Sequence, residues 1–238
     1  MESTADSALD DWFEGPLGVR VLREEAVLAT LALDTVFGFE LLQVGSWGPA
    51  RHLLGGARTQ HTTLVTPELK QGVTLCAPLD TLPFKSDSID AVLLPHTLEL
   101  VEDPYAVLRE AERVLTGEGC LMICGFNPFS GWGARRFFGR SLDRLPFPPH
   151  TRRMLSERRL RVWVALLGFD VDSVSGYLGF LPMKGGVSEV HQRRALTAGA
   201  YLLKARKRVS TLTLILPRRR VRQRVLVGAA EPTHKVGS

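Results

Sequence analysis

The sequence predicts an α/β protein with a doubly wound, mostly parallel sheet and helices on both faces. Three observations lead there. Short apolar runs of strand-forming residues alternate with segments whose apolar positions recur at helical spacing. The first such run ends in a glycine turn, Gly45-Ser46-Trp47-Gly48-Pro49, and the next two stop at Pro67 and Pro78, residues that cannot extend a ladder. The 238 residues, 45% of them hydrophobic and 23% charged, exclude disorder, collagen and coiled coil. A chain of this length buries roughly 70–75% of its unfolded surface in one large domain.

Residues 1–38 open with Ser7-Ala8-Leu9-Asp10, a capping box, and after Gly15-Pro16 carry Leu17, Val21, Leu28 and Leu31 at helical spacing. Two short helices are therefore expected before the sheet. The main domain, 39–208, begins with Phe39 to Val44 as a buried strand, followed by the glycine turn and a helix from Pro49 to Leu54. Strands follow at His61 to Thr66, Val73 to Ala77 and Ile89 to Leu94. Asp103-Pro104 starts a helix whose Val107, Leu108, Ala111, Val114 and Leu115 share a face, with Gly117 just past its end. Cys120 to Cys124 is the fifth strand, and Cys120, Met122 and Cys124 point to one buried face.

Residues 125–155 interrupt this rhythm with aromatics, prolines and arginines and read as an inserted lid. Ser156 then caps a helix with Leu160, Trp163, Val164 and Leu167 on one stripe, ending at Gly168. Phe169 to Ser175 and Gly199 to Ala205 close the sheet, with a glycine-rich loop, Gly176 to Ser188, between them. Residues 209–238 form a basic tail, expected to be disordered after Pro217.

Three cysteines, at no metal-ligand spacing, argue against a disulfide framework or a zinc site and fit a reducing cytoplasm. The acidic N-terminus and the lack of an ~18-residue apolar run argue against export and membrane spanning. Charge is split along the chain: residues 1–134 hold 8 basic and 19 acidic residues, and 135–238 hold 22 basic and 6 acidic. The basic half, including Lys204, Arg206, Lys207 and Arg208, suits an anionic partner such as RNA or lipid head groups.

In an open parallel sheet, ligands sit beyond the carboxyl ends of the strands near the switch point, which directs attention to Gly45–Pro49. The turn lacks a third glycine, and no acid closes the second strand, so a nicotinamide enzyme is disfavoured. Four segments carry a more specific signal: Leu41-Leu42-Gln43-Val44-Gly45-Ser46-Trp47-Gly48; Leu82-Pro83-Phe84 leading into Ile89-Asp90-Ala91-Val92; His96-Thr97-Leu98-Glu99 with Asp103-Pro104; and Leu108 to Leu115 with Gly119. Over residues 39–124 this pattern resembles class I S-adenosylmethionine-dependent methyltransferases of the small-molecule type 11 branch. The resemblance implies a Rossmann-like seven-stranded sheet with its last strand antiparallel, and S-adenosylmethionine as cofactor.

Carried onto this chain, the family's cofactor-binding positions are Gln43, Val44, Gly45, Ser46, Trp47, Gly48, Thr66, Pro67, Pro78, Leu79, Asp80, Pro95 and His96. His96, after the fourth strand, is the candidate base or orienting group. Phe126, Asn127, Trp132 and Tyr177 are candidate substrate contacts; Phe126-Asn127-Pro128-Phe129 is similar to a signature of amino-group methyltransferases but follows the fifth strand instead of the fourth. The pattern departs where the family carries acids: Gln43, Thr66 and Pro78 stand there, with Glu68 and Asp80 close enough to supply a carboxylate. Trp47 and Pro49 replace favoured glycines, and a bulky side chain in the turn can block the cofactor's methionine end. The expected function is methyl transfer to a small or amphiphilic acceptor. The alternatives are a non-catalytic methyltransferase-like binding protein and an RNA methyltransferase.

Overall fold

The computed structural model describes residues 11–131, 133, 153–178 and 198–209. After a helical turn at 11–14 come α1 (Pro16–Leu33), β1 (Glu40–Val44), β2 (His61–Thr66), β3 (Leu75–Cys76), β4 (Ile89–Pro95), α2 (Thr97–Leu100), α3 (Pro104–Val114), β5 (Leu115–Phe126), α4 (Glu157–Leu166), β6 (Phe169–Tyr177) and β7 (Ala200–Lys207). Seven strands form one sheet in the order β3-β2-β1-β4-β5-β7-β6. β1 pairs parallel with β2 and β4, and β4 with β5, whereas β7 runs antiparallel between β5 and β6. This is the doubly wound, mostly parallel sheet expected, and its order reverses between β1 and β4.

Alternation along the strands divides the core. Leu42, Val44, Val92, Leu94, Leu121 and Ile123 face α3 and α4, where Val107, Leu108, Ala111, Leu160 and Val164 meet them. Leu41, Ala91, Leu93, Cys120, Met122 and Cys124 face the other way, against Val21, Leu28 and Leu33 of α1. Burial pushes the Cys120 thiol up to about 11, so these cysteines serve as packing groups. Asp103 Oδ1 caps α3 by accepting from the Tyr105 and Ala106 amides at 3.0 and 3.1 Å, and Ser156 caps α4.

Several expectations change. The helix expected from Pro49 to Leu54 is a run of turns: Gly48 and Arg51 both have φ of 67°, and the His52 and Leu54 amides bond only three residues back. The third strand shrinks to two residues because Gly72, at φ 83°, keeps 70–73 in a turn. Leu115 leaves the helix and opens β5 opposite Ile89. In place of a second short helix, α1 spans 18 residues; the helical residues 11–14 begin at the edge of the described chain. The capping box at Ser7, most of the 125–155 insertion, the Gly176 to Ser188 loop beyond Leu178 and the tail after Val209 lie outside the described residues.

The four cations at the end of the described chain are internally paired. Lys204 Nζ bonds Ala32 O and Thr35 Oγ1 at the end of α1; Lys207 pairs with Asp87 and Glu112, Arg206 with Asp172, and Arg208 with Asp170. No helix among the described residues is long and apolar enough to cross a membrane.

Candidate functional site

A cleft of about 550 Å³ opens at the carboxyl ends of β1, β2 and β4, beside the point where the sheet order reverses. Its base is the glycine turn. Gly45 has φ 89° and donates its N–H to Val65 O at 2.8 Å; a Cβ there would lie 2.5 Å from Thr97 Oγ1. Thr97 also lines the cleft, and its hydroxyl donates to Val44 O at 2.6 Å, fastening the end of β1 to the start of α2. A glycine is therefore required at 45 both by conformation and by space.

The departures from the acidic pattern have local explanations. Gln43 is buried, and its Nε2 donates to Gly45 O at 3.1 Å, a bond no carboxylate could make. Its Oε1 is left without a partner, an acceptor buried beside the turn. Thr66, at the end of β2, donates its hydroxyl to Glu68 O at 2.5 Å, and Glu68 contributes to the cleft wall two residues beyond the expected position. Pro67, Lys70 and Leu79 complete that side, whereas Pro78 and Asp80 are exposed and do not line the cleft. A glycine turn, an orphaned acceptor beside it and a carboxylate past β2 are a donor and acceptor set that fits S-adenosylmethionine.

Of the expected cofactor positions, the cleft brings together Gly45, Ser46, Gly48, Thr66, Pro67 and Leu79. Gln43, Val44 and Pro95 lie buried behind it, supporting the turn and the end of β4. Trp47 and His96 are elsewhere. The Trp47 side chain turns away from the cleft into the core, where it meets Phe13 at 4.7 Å and His96 at 4.4 Å between ring centroids. The obstruction expected from a bulky residue in the turn does not arise, because Trp47 is buried in the core and is not among the residues that line the cleft.

His96 sits at φ 51° just after β4 and is fully buried. Its Nδ1 lies 2.6 Å from Glu99 Oε2 and its Nε2 lies 2.5 Å from Glu25 Oε1. Its ring packs against both Trp47 and Phe126, the latter at 4.1 Å between centroids. Burial alone would lower the imidazole, but the charges of Glu25 and Glu99 and the bonds to both outweigh it and raise His96 from 6.5 to about 9. Burial in turn pushes the Glu99 carboxyl up. The Glu99 Oε1 accepts from the Phe126 amide at 2.6 Å, and Tyr177 donates its phenol to Glu25 Oε1 at 2.6 Å. One cluster thus ties together α1, α2 and the ends of β4, β5 and β6.

The expected substrate contacts fall on this buried side and not on the cleft. Phe126 stacks on His96, and Tyr177 bonds Glu25. Asn127 is engaged structurally: its Nδ2 donates to Ala198 O and its Oδ1 accepts from the Phe129 amide, both at 2.9 Å. Trp132 lies outside the described residues. Two contributors, Glu25 and Thr97, had no expected role. Glu25 falls four residues after Val21 and three before Leu28 on the buried stripe of α1, so an acid at an apolar position was its sequence signal.

Comparison with known proteins agrees with this architecture. A family model described as a methyltransferase domain matches residues 56–123. The uncharacterized protein YafS of Escherichia coli K12 is 33% identical over 181 residues, 75% of this chain and 72% of that one. A malonyl-[acyl-carrier protein] O-methyltransferase of Halorhodospira halophila is 35% identical over 75 residues, 32% of this chain and 25% of its own length. Among solved structures, a Thermotoga maritima S-adenosylmethionine-dependent methyltransferase, described as a possible histamine N-methyltransferase, superimposes with a TM-score of 0.60 at 20% identity, covering 83% of this chain and 94% of its own.

Proposed function

The chain belongs to the class I S-adenosylmethionine-dependent methyltransferases, and from that premise we propose that it binds S-adenosylmethionine in the cleft and methylates a small or amphiphilic acceptor reached from the α1 side. The cofactor supplies a methyl group activated by its sulfonium. The single observation that carries the reading is the glycine turn at the switch point, with Gln43 Oε1 buried and unpartnered beside it and Glu68 in the wall past β2. The turn offers backbone N–H groups to the cofactor's amino-acid end, and Glu68 accepts from its ribose hydroxyls.

His96 then serves as an orienting charge and not as a free base. Both its nitrogens already face carboxylates, so it has no lone pair to offer while the cluster is closed. In-line transfer demands alignment and exclusion of water more than a strong base, and a fully buried floor next to the turn supplies both.

Calorimetric titration with S-adenosylmethionine and S-adenosylhomocysteine tests the proposal. Micromolar binding is expected, and Gly45→Asp, which drives a side chain into Thr97 and strains a positive φ, abolishes it. A folded protein that binds neither compound at millimolar concentration would instead be a non-catalytic relative.

A further inference from the structure

Among the described residues, Glu25 Oε2 is one of the buried side-chain atoms left without a hydrogen-bond partner, as are the Trp12 and Trp47 indole nitrogens. Glu25 Oε2 belongs to a carboxyl group with no solvent exposure and has no hydrogen-bond partner, while Oε1 of the same carboxyl faces the His96 imidazole at 2.5 Å. Leaving such an acceptor unpaired is costly, and natural proteins keep one only where something else completes it. The groups that do bond the two acids of the cluster are an imidazole, a phenol and a backbone amide. Around them stand Trp47, Phe126 and Phe13, with Trp12 6.0 Å from Trp47 between centroids. Acids in an aromatic wall are the chemistry that recognises a cation, and His96 already occupies such a place as an internal one.

We infer that the methyl acceptor is an amine, arriving as its ammonium, and that Glu25 Oε2 is the group that receives its proton. This rests on the methyl-transfer reading above and adds the acceptor class. A carboxylate or phosphate acceptor would face Glu25 across a dry interior with like charge against it.

The chemistry balances. The ammonium gives one proton to Glu25 Oε2 and becomes a neutral amine. The nitrogen lone pair then forms the bond to the methyl carbon as the carbon–sulfur bond breaks and its electron pair stays on sulfur. The product leaves as a methylated ammonium, and the proton held on Glu25 passes to solvent. His96, fixed by Glu99, keeps Glu25 Oε1 occupied so that Oε2 is the free oxygen. Entry moves the Trp47 indole, which covers the imidazole on the glycine-turn side.

The test is an acceptor assay on the whole chain, reading S-adenosylhomocysteine formation. The probes are three skeletons, phenylethyl, octyl and cyclohexylmethyl, each as amine, alcohol and carboxylate. Turnover is expected on amines, with kcat/KM at least about 100-fold above the matched alcohol and carboxylate. Glu25→Gln, the same shape without the proton acceptor, lowers kcat/KM on amines by about 100-fold and leaves the S-adenosylmethionine Kd unchanged, and Glu25→Asp restores part of the activity. The wild-type panel stands even if the variant fails to fold. An alcohol or carboxylate preferred over its matched amine overturns the inference, as does a cofactor-binding enzyme that accepts no amine or is indifferent to Glu25→Gln. Absence of cofactor binding would fell the methyl-transfer reading itself, a separate result.

Discussion

The two sides of the glycine turn are built on opposite plans. On one side is the cleft, open, largely backbone at its base, and held in shape by Gly45, Thr97 and Gln43. On the other is a closed cluster made of side chains, with His96 at its centre and no exposure at Glu25 or His96. The difference teaches where variation is tolerated. A backbone cradle survives the loss of family acids because its geometry depends on φ and close packing. A buried charge cluster depends on every member, since each partner removed leaves an uncompensated charge.

The contrast is broken most strongly at its centre. His96→Leu strands Glu25 and Glu99 against each other in the core and should cost about 3–5 kcal/mol of stability, read by urea denaturation. In the cleft, Thr97→Val removes one hydroxyl from Val44 O and should cost about 1 kcal/mol of stability while weakening cofactor binding, with Thr97→Ser retaining both. The comparison is sharpened by pH. His96 is faced by Glu25 from α1, Glu99 from α2 and Tyr177 from β6, with His52 of the turns after β1 within electrostatic reach, and its folded value of about 9 lies above the ordinary 6.5. Its contribution to stability is therefore complete below about pH 6.5 and is lost as pH rises through about 9, so melting temperature should fall over that window and fall less in Glu25→Gln. Smallest is the surface: Arg208→Ala, which breaks the exposed pair with Asp170, should leave the melting temperature unchanged.

The same contrast decides what could be read from sequence. β1, β2, β4 and α3 were legible because apolar runs bounded by glycine or proline, and an Asp-Pro helix start, act locally. The Pro49–Leu54 helix was misread because a positive φ at Arg51 is invisible in a residue that normally avoids it. His96 was legible as the residue closing β4, but its partners were not: Glu25 lies 71 residues before it and Tyr177 81 after, and only the packing of α1 onto the sheet joins them. Trp47 was expected to crowd the cofactor because the sequence places a residue in a turn without saying on which side its ring falls. Within the basic stretch, Lys204, Arg206, Lys207 and Arg208 each find an internal partner that spacing along the chain does not reveal.

The central claim, that the cofactor sits on the glycine turn beside Glu68 while Glu25 serves the acceptor and not the cofactor, is tested most directly by titrating S-adenosylhomocysteine calorimetrically into the wild-type protein, Glu68→Gln and Glu25→Gln. Weakening of about tenfold in Glu68→Gln, the loss of one charge-assisted bond, beside an unchanged Kd in Glu25→Gln is the expected result. Equal weakening in both variants, or a loss confined to Glu25→Gln, would contradict it.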